Sequence, residues 1–390
     1  MQRIKIGRPQ YLLYLLHLHL RKMAAASLRK VAVFALCLGS SLILIVPHLG
    51  HELLTKSVGC FLAVGLSYLI SSWYTGGKIS SVRGKAVLVT GCDTGIGNAL
   101  ARHLDSLGFR VFAGCLFAED SAALRLTAEC SKRLEVVQLD VTSDLQVSRA
   151  VSYVRDSLSA TGDVLWGVVN NAGMACWGEV DWVSLDRYKR LAEVNVWGMI
   201  RVTKAFLPFI RNCGGRVVNI SSMLGHFSAP GCSAYCITKY GVQAFTDSLR
   251  NEVNKFGVSA VIVEPGNFSG GQSAMFTREN MFKDLDRAWS EAPEEVRGVY
   301  GTDYFEAFKN ALVNASHYTA TTSLSLVTEA CASALIDANP HERYFPGNWT
   351  SKLTVLIFCF LPASFTDVLF RVYQSLFLVK VKWAKSKNQR

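Results

Sequence analysis

The 390-residue sequence predicts an α/β fold, a doubly wound parallel sheet covered by helices, and three observations carry that expectation. From Gly84 onward, short β-branched runs alternate with stretches long enough for an amphipathic helix, as strands joined by helical crossovers require. The first run leads directly into a glycine-rich turn, Gly91 to Gly97. Later runs end in small or polar residues, at the strand ends where ligands of such sheets gather.

Residues 1–30 form a basic segment. Arg3, Lys5, Arg8, Arg21, Lys22, Arg29 and Lys30 all precede the first acid, Glu52. The uncharged runs 31–47 (VAVFALCLGSSLILIVP) and 57–73 (SVGCFLAVGLSYLISSW) are apolar on every face and near the ~20 residues that cross a bilayer, so 31–73 reads as a transmembrane hairpin. Lys/Arg lie before the first run and after the second, which turns both ends to the cytosol. Two other readings stay open: a mitochondrial presequence, because an acid-free Arg-rich start has that signature, and core helices of a soluble protein. No basic-aromatic pattern points to nucleic acid.

The strand-like runs are KAVLVT (85–90), RVFAGC (110–115), EVVQLD (135–140), VLWGVVN (164–170), RVVNIS (216–221) and SAVIVE (259–264). The domain is expected over 84–350. Its polar and aromatic stretch 269–320 reads as a helical lid, and RYFP at 343–346 as a short last strand. The tail 351–390 joins the apolar run LTVLIFCFL, too short to span, to Lys380, Lys382, Lys385, Lys387 and Arg390. It reads as a segment lying on a membrane surface. Eleven unpatterned cysteines lack metal-ligand spacing and point to a reducing compartment, with no metal expected. Of the sequons at Asn219, Asn267, Asn314 and Asn348, the first two fall in or beside strands and read as accidental matches, so they do not argue for a lumenal domain.

After the first strand comes Thr90-Gly91-Cys92-Asp93-Thr94-Gly95-Ile96-Gly97. Glycines here permit a tight turn and let a pyrophosphate reach the helix N-terminus, where free N–H groups and the dipole meet negative charge. The third run ends in Asp140-Val141 and the fourth is followed by Asn170-Asn171-Ala172-Gly173. Tyr235 and Lys239 stand at i and i+4 on one helix face, with Ser222 thirteen residues earlier and Asn195 in the run EVNVWG. In this order, and with the spacing G-x3-G-x-G, these motifs resemble the short-chain dehydrogenase/reductase family over about 84–270.

The resemblance implies a Rossmann-type dinucleotide site: Thr90 to Gly97 around the pyrophosphate, Asp140 and Val141 at the adenine, Asn170 to Gly173 closing the cleft, and Pro265 and Gly266 beside the nicotinamide. It also implies that Tyr235 is the acid/base, Lys239 its cationic neighbour, Ser222 the group orienting the substrate oxygen, and Asn195 part of a proton relay. All four catalytic positions are filled, which disfavours a degenerate scaffold. A 2′-phosphate wants Arg or Lys, yet the glycine loop offers Asp93, and Cys115-Leu116-Phe117 offers no base. The cofactor expected is NAD.

TGCDTGIG, VFAGCL, GRVVNISSMLG, YCITK and VEPGNF resemble the branch of the family that holds D-β-hydroxybutyrate, 17β-hydroxysteroid and retinol dehydrogenases. The two apolar spans are similar to a steroid enzyme of the endoplasmic reticulum, whereas the core strings are closer to the mitochondrial hydroxybutyrate enzyme. A small carboxylate needs a buried cation. The wall from Ser222 to Tyr235 supplies only His226, with Arg278, Lys283 and Arg287 available from the lid. The favoured substrate is therefore an apolar secondary alcohol or its ketone, a steroid first, met by Ser222, His226, Tyr235 and Phe268 and flanked by Met223, Leu224, Phe227, Met275 and Phe276. Hydroxybutyrate and retinol are the alternatives. The expected partners are membrane lipid and, by family analogy, a second copy paired through helices over 186–211 and 235–256.

Overall fold

The computed structural model describes residues 77–269, 276–318, 320–321 and 323–377. Seven strands form one sheet: β1 Lys85–Thr90, β2 Arg110–Cys115, β3 Leu134–Gln138, β4 Val164–Asn170, β5 Arg216–Ile220, β6 Ser259–Val263 and β7 Arg343–Tyr344. Every pairing is parallel, in the order β3-β2-β1-β4-β5-β6-β7. Winding reverses between β1 and β4, and the crevice above that reversal is where such a sheet opens to a ligand. Strand β3 ends two residues before the run did, because the Asp140 carboxylate accepts from Thr142 N and Oγ1 at 2.9 and 2.8 Å and turns the chain.

Helices cover both faces, as an all-parallel sheet demands. On one face α1 (Gly95–Ser106) and α2 (Ser121–Glu129) follow β1 and β2; Leu100, Leu104 and Leu126 pack on Val87, Val89 and Val111. On the other lie α3 (Asp144–Thr161), α4 (Leu185–Ala192), α5 (Met199–Cys213) and α6 (Ser233–Val253). There Val147, Val154, Phe206, Ile210 and Leu249 meet Leu88, Val168 and Val217. The expected helix over 186–211 is continuous but carries a π-helical turn, Glu193–Gly198, between α4 and α5.

The lid stretch folds as α7 (Arg278–Glu291), α8 (Glu294–Tyr300) and α9 (Thr302–Tyr318). Its centre is Trp182, whose ring meets Trp289, Tyr300, Tyr304, Phe305 and Phe308 edge-on at 4.9 to 6.2 Å. Such pairs add ~0.5–1.5 kcal/mol each beyond area burial. The chain then forms α10 (Ser325–Ile336), returns to the sheet as β7, and continues into α11 (Trp349–Phe360) and α12 (Ala363–Phe377). Beyond the paired strands, Glu264 N donates to Tyr344 O and Gly266 N to Pro346 O, both at 2.8 Å.

Of the described residues, 77–79 and Asp337–Glu342 belong to a second, small unit, in which Lys78 and Asp337 make an antiparallel bridge. The basic segment 1–30, the apolar runs within 31–73 and the basic end 378–390 lie outside the described residues, as does Met275. Among the described residues no helix is long and apolar enough to cross a membrane. The boundary expected at 350/351 falls inside α11: Asn348 caps this helix by accepting from Ser351 N at 2.9 Å, and buried Ser351 Oγ accepts from Asn267 N at 3.2 Å. No disulfide joins the nine described cysteines, and Asn219 is fully buried, accepting from Asn170 Nδ2 and donating to Thr246 Oγ1.

Candidate active site

A cavity of about 590 Å³ opens above the carboxyl ends of β1, β4, β5 and β6. At one end its wall is the glycine loop. Gly91 and Gly95 have φ of +70° and +63°, which glycine adopts without strain. A Cβ on Gly97 would stand 2.1 Å from Gly91 O and 2.5 Å from Asn171 Nδ2, so the loop closes on α1 only with glycine there. Thr94 caps α1 with no side-chain hydrogen bond, and the first turn holds no acid. Its N–H groups are thus left for an anion, as a pyrophosphate site requires.

Asp93, Thr94, Gly95, Ile96, Asp140, Val141, Asn171, Ala172, Gly173, Pro265 and Gly266 line this cavity together with Gly91. Of the residues selected for cofactor binding and catalysis, Thr90, Gly97, Asn170 and Asn195 do not. Thr90 Oγ1 accepts from Asn171 N and Ala172 N, both at 3.0 Å. Gly97 gives α1 room; Asn170 donates to Thr203 Oγ1 at 2.9 Å. Asn195, in the π turn, accepts from Met174 N at 2.8 Å while its amide donates to Met174 O at 2.9 Å and Thr238 Oγ1 at 3.0 Å. It therefore ties the loop after β4 to α6 at Thr238, the residue before Lys239.

Asp93 accepts from Leu116 N and Phe117 N, both at 3.0 Å, fixing the loop after β2 where an adenosine ribose is read. Among the described residues that line the cavity, Lys239 is the sole Lys or Arg. These features fit an unphosphorylated dinucleotide.

Ser222, Tyr235 and Lys239 converge in the middle of the cavity. Tyr235 and Lys239 share one face of α6, and Ser222 follows β5, where its hydroxyl accepts from Leu224 N at 3.2 Å. Lys239 Nζ donates to Ile220 O at 3.0 Å and stands 5.4 Å from the centre of the Tyr235 ring. Burial pushes the Lys239 ammonium down to about 8. Burial also drives the Tyr235 phenol well above its ordinary range, and a hydrogen bond with Ser222 works against that rise. Tyrosinate forms here only with nearby positive charge.

Past Tyr235 the wall is apolar: Trp177, with its ring 6.1 Å from that of Tyr235, then Leu224, Phe227, Phe268, Phe276 and Leu312. His226, expected at the substrate, is not in this wall. Its Nε2 lies 3.0 Å from Glu264 Oε1, a buried carboxylate that also accepts from Arg343 Nη1 at 2.6 Å, and this need for partners draws the ring away. The lid bases are also engaged elsewhere. Arg278 donates to Asn314 Oδ1 at 2.8 Å, Lys283 pairs with Glu279 at 2.6 Å and Arg287 with Glu291 at 3.0 Å. Trp177, Ser316, Ser351, Thr354, Phe358 and Phe370 line the cavity without having been selected from sequence. The last four come from the tail, where the sequence showed an apolar run but not what it packs on.

Residues 85–281 match the family model described as short chain dehydrogenase. D-beta-hydroxybutyrate dehydrogenase, mitochondrial, of Rattus norvegicus is 44% identical over 75% of this chain and 85% of its own length. The 17-beta-hydroxysteroid dehydrogenase type 6 of Homo sapiens is 40% identical over 78% and 93%, and retinol dehydrogenase 7 of Mus musculus 38% over 78% and 94%. Among solved structures, a short-chain dehydrogenase from Streptomyces avermitilis superposes with a TM-score of 0.54 at 25% identity, covering 76% of this chain and 96% of that one.

Proposed function

The chain belongs to the short-chain dehydrogenase family, and from that premise we propose that it is a membrane-held, NAD-dependent alcohol dehydrogenase interconverting a lipid-type secondary alcohol, a steroid first, and its ketone. The observation that carries the substrate class is the wall beyond Tyr235, apolar from Trp177 to Leu312. A short hydroxy acid would need a buried cation to meet its carboxylate. His226, Arg278, Lys283 and Arg287 all have other partners, and residues 270–275 contain no Lys or Arg. The 44% identity to a mitochondrial D-beta-hydroxybutyrate dehydrogenase favours 3-hydroxybutyrate as the second reading.

In this reading Tyr235 takes the hydroxyl proton of the alcohol while Ser222 donates a hydrogen bond to the same oxygen, holding it and stabilising its developing charge. Bound NAD supplies the two-electron acceptor and, when oxidised, a positive charge. Lys239 adds a second cation that favours tyrosinate. Asn195 holds the loop and α6 in register, so that Lys239 keeps its place. The apolar runs in 31–73 and the charge around them support attachment to the endoplasmic reticulum with the domain in the cytosol; the acid-free start supports a mitochondrial membrane as the alternative.

The test is NADH formation by detergent-solubilised enzyme given NAD⁺ with estradiol, retinol or D-3-hydroxybutyrate, with Tyr235→Phe as control. Turnover of estradiol or retinol supports the lipid reading. Turnover of hydroxybutyrate alone overturns it.

A further inference from the structure

Helix α11 has two opposite working faces. At roughly 100° per residue, Ser351, Thr354 and Phe358 fall on one side and line the cavity, while Trp349, Leu353, Leu356 and Phe360 fall on the other. Helix α12 repeats the arrangement: Phe370 faces the cavity, and Phe365, Val368, Leu369 and Val372 form the opposite stripe. All eight outer side chains are between 43% and 73% exposed. An aromatic row on the cavity side joins the two helices to the wall. The Phe227 and Phe358 rings stack at 4.6 Å, and Phe358 meets Phe370 at 5.1 Å. The cavity wall is therefore one helix thick here, with an apolar surface on its far side.

The occupant of that surface is read from charge. From Trp349 to the C-terminus the single acid is Asp367, which the helical repeat sets away from the outer stripe of α12. After Phe377 come Lys380, Lys382, Lys385, Lys387 and Arg390 with no acid among them. A second copy would bring another cationic tail to the same place. An anionic lipid surface meets both the apolar stripes and the cations.

We propose that α11 and α12 dock by these outer faces on an anionic phospholipid bilayer, and that the substrate enters the cavity from that bilayer through the wall they form. The entry route rests on the reading of an apolar substrate; the docking does not. The full chain, carrying Cys359→Ser and Leu369→Cys labelled with an environment-sensitive fluorophore, is reconstituted into vesicles of phosphatidylcholine and phosphatidylserine, with Cys359→Ser alone as blank. Quenching by nitroxide lipids, with protection from aqueous iodide, is expected. A label open to iodide, or one shielded only by cross-linking copies together, overturns the docking. Leu356→Asp with Val368→Asp, both off the cavity, is expected to raise KM for vesicle-borne estradiol about tenfold and to leave kcat and the detergent-delivered KM within about twofold. An equal KM change under both deliveries, or none, overturns the entry route. Because the quenching needs no substrate, failure of the substrate reading shows separately, as no turnover of estradiol or retinol.

Discussion

Lys239 Nζ stands 5.4 Å from the centre of the Tyr235 ring and gives a hydrogen bond to Ile220 O at 3.0 Å, in a site where both side chains are buried. Proximity of cation and phenol is the device on which the proposed chemistry turns, and the burial of the cation has a measurable signature without cofactor or substrate. Burial lowers Lys239 to about 8, while an unfolded lysine titrates near ~10.4. Between those values the unfolded chain binds more protons, so stability rises with pH from about 8 to about 10, by at most about 3 kcal/mol. Tyr235, shifted upward, subtracts stability only above the ordinary ~10 of a phenol. Melting temperatures of cofactor-free enzyme are expected to carry this alkaline rise, and those of Lys239→Met to lack it.

Removing the phenolic oxygen leaves the ring packed on Trp177 and Phe276. Tyr235→Phe is expected to lower kcat by about 10³-fold or more with NAD⁺ affinity kept, and Ser222→Ala by about 10²-fold. Steady-state NADH formation and calorimetric titration of NAD⁺ check the two halves. An unchanged kcat in Tyr235→Phe would falsify the mechanism.

Gly97→Ala places a methyl against Gly91 O and Asn171 Nδ2, neither the far end of a flexible chain free to move. The start of α1 must shift. A loss of about 1–3 kcal/mol in stability is expected, with NAD⁺ affinity at least about tenfold weaker, read by thermal melting and calorimetric titration.

Asp93→Ser removes both acceptors of the Leu116 and Phe117 amides and the one carboxylate of the glycine loop. Discrimination between NAD⁺ and NADP⁺ is expected to fall by about tenfold, about 1.4 kcal/mol. The ratio of kcat/KM for the two cofactors measures it.

The sheet was legible because its strands are local: β-branched runs at 85–90, 110–115 and 164–170 coincide with β1, β2 and β4. Ser222, Tyr235 and Lys239 were legible for a similar reason, since a fixed spacing on one helix and one strand end brings them together. Trp177, Ser351 and Phe370 were not, because they reach the cavity through packing between segments far apart in the chain. His226 misled for a physical reason. A sequence shows a base near the site but not the buried acid, Glu264, that claims it. The π turn at Asn195 likewise has no reading in the order of residues, because a single widened turn is too short to show in a period read over the flanking α-helices.

The chain leaves the sheet at the end of β6 and rejoins it as β7, hydrogen-bonded to that same strand. The stretch from α7 to α9, which gives the apolar half of the cavity Met281 and Leu312, is thus an excursion from one edge, begun and finished at adjacent positions of the scaffold. Such an insertion is a cassette. Its exchange between relatives is expected to leave the registers of β1, β4 and β5, and the reactive groups above them, as they are. Inheritance of redox machinery and inheritance of substrate taste then become separable, and a chimera carrying the 278–318 segment of a relative tests whether preference travels with it.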